Sequence, residues 1–243
     1  MDRLIYTSLS AMRGSMARQT STAHNLANVN TPGFRADVAG ARAIYMAGEA
    51  FRSRTMSGEE VIGADMRTGT RGQTGRPLDV ALDGDALLTV QAEDGAETYT
   101  RRGDLQVSGT GLLTTGDGRP VLGPQGPITI PPSDSVTIDP EGRIFIVPQG
   151  GDASQPQELD RLKLVSPAGS DIVKGLDGLI RVRGGGTLPA DPDARLAAGF
   201  LEGSNVEATT ALVQMIEASR SWDASLKLVS DARDLDASTA QLM

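Results

Sequence analysis

The side chains that could do chemistry are few and are scattered along the sequence. His24 is the only histidine and there is no cysteine, which excludes disulfides, thiolate metal sites and cysteine nucleophiles. Asp83-Gly84-Asp85 could offer oxygen ligands to calcium, but no further ligands follow at EF-hand spacing, so a hairpin turn is the favoured interpretation. Gly184-Gly185-Gly186 lacks the lysine and hydroxyl residue that complete a phosphate-binding loop, which favours a flexible connection.

No set of residues suggests a catalytic mechanism. Glu59 and Glu60 are adjacent, but nothing near them in the sequence would raise the pKa of one carboxyl group and keep the other low. Met215 and Trp222 fall on a helical repeat and are interpreted as packing residues rather than as part of a cofactor site. We therefore predict no catalytic residue, no metal and no cofactor, and a protein that is not an enzyme.

The balance of charge limits the possible partners. The formal net charge of −8 argues against nucleic-acid binding, because that function needs a basic face. Residues 1–35 carry four arginines and one aspartate, whereas residues 202–243 carry seven acidic and three basic residues. Such ends can attract each other or the ends of neighbouring copies. Two solvated helix faces are the alternative interpretation.

The sequence does not predict a membrane segment. Asp2 and Arg3 precede a stretch that polar residues interrupt, unlike a Sec-type signal peptide. No apolar run approaches the roughly 18 residues that span a bilayer. We expect no direct membrane insertion, and any export by another route.

The first thirty residues predict a helix with a narrow apolar stripe. The stripe alternates spacings of four and three over nearly four heptads. Thr31-Pro32-Gly33 is expected to end the helix, since Pro32 disfavours helical geometry at the preceding residue. The stripe consists of Ile5, Leu9, Met12, Met16, Gln19, Ala23 and Leu26.

The last forty residues predict a second helix of the same kind. Ser204-Asn205-Val206-Glu207 has the pattern of a capping box, in which Ser204 and Glu207 satisfy each other's backbone N–H groups. The predicted stripe consists of Leu212, Met215, Ser219, Trp222, Leu226 and Val229. Both stripes are too narrow to stabilise an isolated helix in water, so we expect the terminal helices to be flexible in the monomer and ordered by partners.

The interior of the sequence predicts a β domain. Short apolar stretches between residues 78 and 201 are separated every 8–12 residues by turn signals such as Asp94-Gly95 and Asp117-Gly118. The predicted fold is therefore α+β, with N- and C-terminal helices paired as a coiled-coil-like domain beside a central all-β domain. Its predicted divisions are a helical domain over 1–35 and 203–243, an irregular linker or extension over 36–74, and a β domain over 75–202.

Four motifs in order along the chain resemble a known family. The run from Asn25 to Arg35 and the later Ser204-Asn205-Val206 are similar to the N- and C-terminal signatures of flagellar rod and hook proteins. The runs Gln73–Gly84 and Tyr99–Gly103 resemble the β domain of the same proteins. The first residues and the short chain favour the proximal rod proteins within the flagellar basal-body rod family.

The resemblance implies a structural subunit of the basal-body rod, the drive shaft that crosses the periplasm. It implies assembly of the terminal helices into a hollow tube, with copies of itself and neighbouring rod proteins as partners and with delivery by the flagellar type III export apparatus. A distal rod or hook-type subunit, a periplasmic hydrolase and a free β-rich binding module are the alternatives. The residues expected to carry assembly are Ile5, Leu9, Met12, Met16, Ala23, Asn25, Leu26, Asn28, Asn30, Pro32, Gly33 and Phe34, with Ser204, Asn205, Val206, Leu212, Met215, Trp222, Leu226 and Val229.

Overall fold

The structure of the chain is a computed structural model, which describes residues 2–45, 55–175 and 177–241. Within these residues the chain forms two α-helices and eighteen β-strands, so the α+β class is confirmed. Helix α1 spans Asp2–Ala27 and helix α2 spans Ala208–Gln241. The strands are β1 Asp37–Tyr45, β2 Thr55–Ala64, β3 Arg71–Gln73, β4 Val80–Leu82, β5 Leu87–Gln91, β6 Glu97–Thr100, β7 Leu105–Val107, β8 Leu113–Thr115, β9 Leu122–Gly123, β10 Gly126–Pro127, β11 Ser133–Ile138, β12 Arg143–Pro148, β13 Gln157–Arg161, β14 Leu164–Val165, β15 Ile172–Lys174, β16 Ile180–Val182, β17 Leu196–Ala198 and β18 Phe200–Glu202.

The chain divides into two compact units. The helical unit contains Met1–Val29, Ala36–Asp65 and Val206–Met243, and therefore holds α1, the β1–β2 hairpin and α2. The β unit contains Asn30–Arg35 and Met66–Asn205. Residues 30–35, which the sequence analysis grouped with the helices, thus belong to the β unit.

The prediction of an irregular segment over 36–74 was wrong for most of its length. Strands β1 and β2 form an antiparallel hairpin in the register Asp37↔Ala64 to Tyr45↔Thr55, with an irregularity at Val38/Ala39. The hairpin packs against α1. Further along the segment, β3 pairs with the distant strand β18. The strands escaped detection because Ala, Gly, Ser and Glu supply most of their residues, so the apolar alternation that marks a strand is nearly absent.

The β unit is built from short antiparallel strands around one main core. Its largest sheet has the order β14-β5-β6-β16-β15, and a second sheet has the order β11-β12-β13. Strand β5 lies in the region of the predicted short apolar stretches, and its first four residues are buried. The turn signals were also informative, since the glycines of Asp94-Gly95 and Asp117-Gly118 both have the positive φ that a tight turn uses.

A smaller apolar cluster surrounds the buried Tyr99. Its hydroxyl accepts a hydrogen bond from the Leu188 N–H at 2.6 Å and donates to Glu97 Oε1 at 3.0 Å. Burial is the main cause that raises the pKa of Tyr99 to about 12, so this side chain stays neutral and acts as a structural donor.

Candidate functional site

Helix α2 presents a seam of small residues inside the helical unit. Ala211, Ala218, Ser225 and Ala232 are buried and lie seven residues apart. Met215, Trp222 and Val229 lie between them and are half-buried. The predicted alternation of spacings of four and three residues is therefore present. One set of seam residues lies where it was predicted, but the other set lies one residue earlier in the sequence than predicted. Leu212, Ser219 and Leu226, which were assigned to that set, are exposed.

Helix α1 uses small residues in the same way. Ser8, Ser15 and Thr22 are buried at intervals of seven, and Ser15 Oγ hydrogen-bonds to Ser221 Oγ of α2 at 3.0 Å. Gly14 is buried as well. Small side chains let two helix backbones approach closely, but they carry little apolar signal in a sequence. The buried residues of α1 are therefore small residues that lie outside the predicted apolar stripe.

The predicted α1 stripe instead lies mostly on the surface. Leu9, Met16 and Ala23 are exposed, whereas Met12 and Leu26 are half-buried. Ile5 lies within α1, but its side chain is outside the part of the chain that the structure describes.

The C-terminal end of α1 is tied to the start of β1. Asn25 makes two reciprocal hydrogen bonds with the Asp37 backbone, from its Nδ2 to Asp37 O at 3.0 Å and to its Oδ1 from Asp37 N at 2.7 Å. His24 Nδ1 lies 2.5 Å from Asp37 Oδ2. Asn28 Nδ2 donates to His24 O and so caps the helix. Asn30 is exposed beyond the helix end.

The segment that follows α1 packs inside the β unit. Phe34 is buried, and the ammonium group of Lys174 lies 3.7 Å from the centre of its ring. The same ammonium donates to Arg35 O at 2.6 Å, and Asn205 N donates to Phe34 O at 3.3 Å. Pro32 beside them is half-buried. The segments before α2 and after α1 are therefore joined through the β unit.

Gly33 occupies a position that other residues cannot fill. Its φ is +67°, and its N–H donates to Glu202 O at 2.8 Å. A Cβ at this position would lie 2.3 Å from the carbonyl carbon of Arg101, which is shorter than any normal contact. The predicted signature glycine is thus required both by backbone conformation and by close approach.

Glu202 is buried at this point between two buried arginines. Its Oε1 accepts hydrogen bonds from Arg35 Nη2 at 2.6 Å and from the Gly69 N–H at 2.8 Å. Its Oε2 accepts from Arg101 Nε at 2.9 Å and Nη2 at 2.5 Å. Arg101 also donates to three backbone carbonyls, those of Leu82, Gly84 and Ala86. We call Arg35, Arg101 and Glu202 the buried ion cluster.

The buried ion cluster shifts the pKa values of its members. Burial opposes ionisation of Glu202, but the hydrogen bonds from Arg101, Gly69 and Arg35 outweigh burial and lower the pKa of this carboxyl group. Burial is the main cause that lowers the pKa of Arg101, and the Glu202 carboxylate counteracts that effect. Nε and Nη1 of Arg35 have no hydrogen-bond partner among the described residues. Within the cluster, the Glu202 carboxylate is therefore the single counter-charge for the two buried arginines.

The start of α2 differs from the predicted capping box. The helix begins at Ala208, and Ala211 N donates to Glu207 O, so the cap is Glu207 rather than Ser204. The Glu207 carboxylate accepts hydrogen bonds from the hydroxyls of Thr210 and Thr209, which lower its pKa. Ser204, Asn205 and Val206 are half-buried before the helix, and Asn205 Nδ2 donates to Arg67 O at 2.9 Å.

The part of the chain that the structure describes contains neither a candidate metal centre nor a membrane-spanning helix. No group of three or more His, Cys, Asp or Glu side chains there could hold a metal ion. None of its helices is long and apolar enough to cross a bilayer.

Three protein-family models match the chain, and together they cover its two ends and part of its middle. They describe a flagella basal body rod protein over residues 5–35, a flagellar hook protein FlgE/F/G D1 domain over 81–146, and a flagellar basal body rod FlgEFG protein C-terminal region over 197–242. The flagellar basal-body rod protein FlgF of Escherichia coli (strain K12) is 41% identical over 100% of this chain and 99% of its own length. FlgF of Salmonella typhimurium is 40% identical over the same shares. The rod protein FlgG of Bacillus subtilis (strain 168) is 30% identical over 97% of each chain.

The chain belongs to the flagellar basal-body rod protein family.

Membership of the rod family confirms the predicted resemblance. The matched relatives are structural rod proteins, so the chain is a structural rod subunit of the flagellar basal body and not an enzyme. The family implies assembly with other rod proteins.

The buried ion cluster was not predicted from the sequence, although its members lie close to the signatures. Arg35 and Arg101 stand inside quoted motifs, and Glu202 stands two residues before Ser204. A buried acid shortly before the C-terminal helix, with arginines in two other motifs, is the signal that could have suggested the pairing.

Proposed function

We propose that this chain is a subunit of the proximal rod that assembles through α1 and α2 into the hollow drive shaft. Copies of itself and neighbouring rod proteins are its partners, and the flagellar type III export apparatus delivers it. The exposed members of the predicted assembly set, such as Leu9 and Leu212, serve as contacts to other chains, and the members that are half-buried on the helices, such as Met215 and Trp222, support the pairing of α1 with α2.

One observation carries the proposal, namely the position of the exposed apolar side chains. Among the exposed large apolar residues of the described part of the chain, Val107 is the only one in the β unit, and Val38 lies in the β1–β2 hairpin. All the others lie on the two helices: Leu9, Met16, Leu212, Val213, Ile216, Leu226 and Leu228. An apolar surface concentrated on two helices is typical of a protein interface.

The packing of the two helices supports a coiled-coil-like pair. Buried residues recur every seven positions on α1 and on α2, which is the repeat of coiled-coil seams. Because Ala, Ser and Thr form these seams, the pair buries little apolar area and gains little stability alone. Weakly stabilised helices suit passage through an export channel in an unfolded state, with ordering on assembly.

Disruption of the exposed helix surface tests the proposal. A chromosomal Leu212→Asp/Ile216→Asp variant should abolish swimming and leave purified basal bodies without a complete rod, because charges replace apolar contacts between subunits. Val107→Asp is the control for the introduction of an aspartate, since it places one negative charge on the exposed surface of the β unit. Cell fractions should contain both variants in equal amounts. Normal motility of the helix variant would overturn the proposed mode of assembly.

A further inference from the structure

Each helix carries a second stripe that lies one residue after its intrachain seam, about 100° further around the helix. On α1, Leu9, Met16 and Ala23 recur every seven residues and are exposed, and Met16 is 60% exposed. We call these three residues the α1 outer stripe. On α2, Leu212, Ser219 and Leu226 have the same spacing and are also exposed. We call these three the α2 outer stripe. Each stripe spans 15 residues, and its end residues lie about 21 Å apart along the helix.

The two outer stripes are complementary in size at their centres. Met16 is the middle residue of the α1 outer stripe and has a long, adaptable side chain. Ser219 is the middle residue of the α2 outer stripe and lies between two leucines, so it leaves a gap in that surface. Alternation of a large residue on one helix with a small residue on the facing helix is the usual means of close helix packing.

The two outer stripes also carry opposite charges beside them. Arg13 is four residues after Leu9 and three before Met16, which places it along the α1 outer stripe. Asp223 is four residues after Ser219 and three before Leu226, which places it along the α2 outer stripe. Both side chains are exposed, and neither forms an ion pair within the part of the chain that the structure describes.

We propose that the α1 outer stripe of one copy packs antiparallel along the α2 outer stripe of a second copy of this chain, with Met16 over Ser219 and Arg13 beside Asp223. This inference rests on the proposed function and specifies its contact between copies. The antiparallel direction follows from the charges. With Met16 set against Ser219, only that direction brings position 13 to the same end of the contact as position 223.

The partner is a second copy of this chain, because every copy carries both an α1 outer stripe and an α2 outer stripe. The contact joins two different surfaces and leaves an α1 outer stripe and an α2 outer stripe unused at its ends, so it can continue from copy to copy. A single pair of stripes buries much less than the roughly 1,600 Å² of a standard interface, so isolated dimers in dilute solution are not expected. The contact must therefore be tested in assembled basal bodies.

Cysteine cross-linking tests this contact directly, because the chain has no cysteine of its own. Met16→Cys and Ser219→Cys are placed in separate copies that are expressed together, basal bodies are purified and oxidised, and covalent dimers are measured on a non-reducing gel. A disulfide between these two variants can form only between copies. The matched control replaces Ser219→Cys by Glu217→Cys, an exposed position two residues away on a different side of α2. A dimer is expected with Ser219→Cys and not with Glu217→Cys.

Three results would overturn the inference. They are the absence of the Met16–Ser219 dimer from basal bodies that contain both variants, equal dimer yields with Glu217→Cys, and cross-linking of Met16→Cys to another rod protein instead. Failure of the proposed function gives a different result, since the unsubstituted chain would then be absent from basal bodies.

Reversal of the two charges tests the same contact if a cysteine variant fails to enter the basal body. Arg13→Glu and Asp223→Arg should each lower rod yield about threefold, the effect expected for loss of an exposed ion pair. The double variant should restore the yield. A double variant no better than the single variants would contradict the proposed pairing of Arg13 with Asp223.

Discussion

The two units of this rod protein use apolar residues in opposite ways. The β unit buries its large side chains, among them Leu82, Leu88 and Leu113, and leaves almost none exposed. The helical unit packs its helices through Ala, Ser and Thr and leaves Leu and Met on the surface. The comparison indicates that apolar burial stabilises the β unit more than the helical unit, and it supports our proposal that the exposed apolar residues of the helices contact other chains.

The units also differ in their charged groups. The β unit encloses Glu202 between two arginines where the segments that flank the helices meet. The charged residues of the helices, such as Arg13 and Asp223, are exposed. Buried ions fix a geometry because separation of their charges is costly, whereas exposed charges mainly select partners.

Removal of the buried carboxylate should have the largest effect on stability. Glu202→Gln leaves two buried arginines without a counter-charge, so the free energy of unfolding should fall by about 3–5 kcal/mol. Chemical denaturation of the full chain measures the change. Asp83→Asn is the matched control, because the Arg71–Asp83 ion pair is partly exposed and its loss should cost about 1 kcal/mol or less. Equal losses in the two variants would contradict the importance of burial.

The same residue predicts a pH dependence. Since the folded-state pKa of Glu202 is lowered, its contribution is fully present above the ordinary glutamate pKa and is lost as the pH falls through the lower folded value. Denaturation curves of the native sequence and of Glu202→Gln should therefore converge as the pH falls below the ordinary glutamate range. If the difference in the free energy of unfolding between the two proteins stays constant at low pH, the lowered pKa of Glu202 is contradicted.

Substitution of the signature glycine should have the next largest effect. Gly33→Ala combines an unfavourable positive φ with a clash against the Arg101 backbone, which together should cost about 2–4 kcal/mol. Gly75→Ala is the control, because Gly75 has a φ of +72° with nothing within 4 Å of the added Cβ. That variant should lose only about 1 kcal/mol from backbone strain. Similar losses at both positions would show that the close approach to Arg101 is unimportant.

Substitution of an exposed apolar residue on a helix should have the smallest effect on the stability of the isolated chain. Leu226→Ala should change the free energy of unfolding by less than about 0.5 kcal/mol, because the side chain is already exposed. Leu88→Ala, at a fully buried position of the β unit, should cost about 2–5 kcal/mol. Only the first variant is expected to reduce rod assembly without loss of stability. A large loss of stability for Leu226→Ala would remove the distinction between the two units.

The sequence predicted the helices and turns better than the contacts between distant segments. Met215, Trp222 and Val229 were placed on the α2 seam because their apolar repeat is visible, but Ala218 and Ser225 were missed because small residues give no such signal. The β1–β2 hairpin was missed for the same reason.

The buried ion cluster could not be predicted from local patterns. Its partners lie 167 and 101 residues apart, and only the fold brings them together. Gly33 was recognised as a turn residue, whereas its contact with the Arg101 backbone required the structure.

Amide hydrogen exchange of the dilute monomer and of purified basal bodies compares the two units most directly. We predict that the amides of α1 and α2 exchange rapidly in the monomer and slowly in the basal body, while β5 and β6 stay protected in both. Slow exchange of both helices in the dilute monomer, equal to that of the β unit, would contradict the proposal that contacts with other chains order the helices.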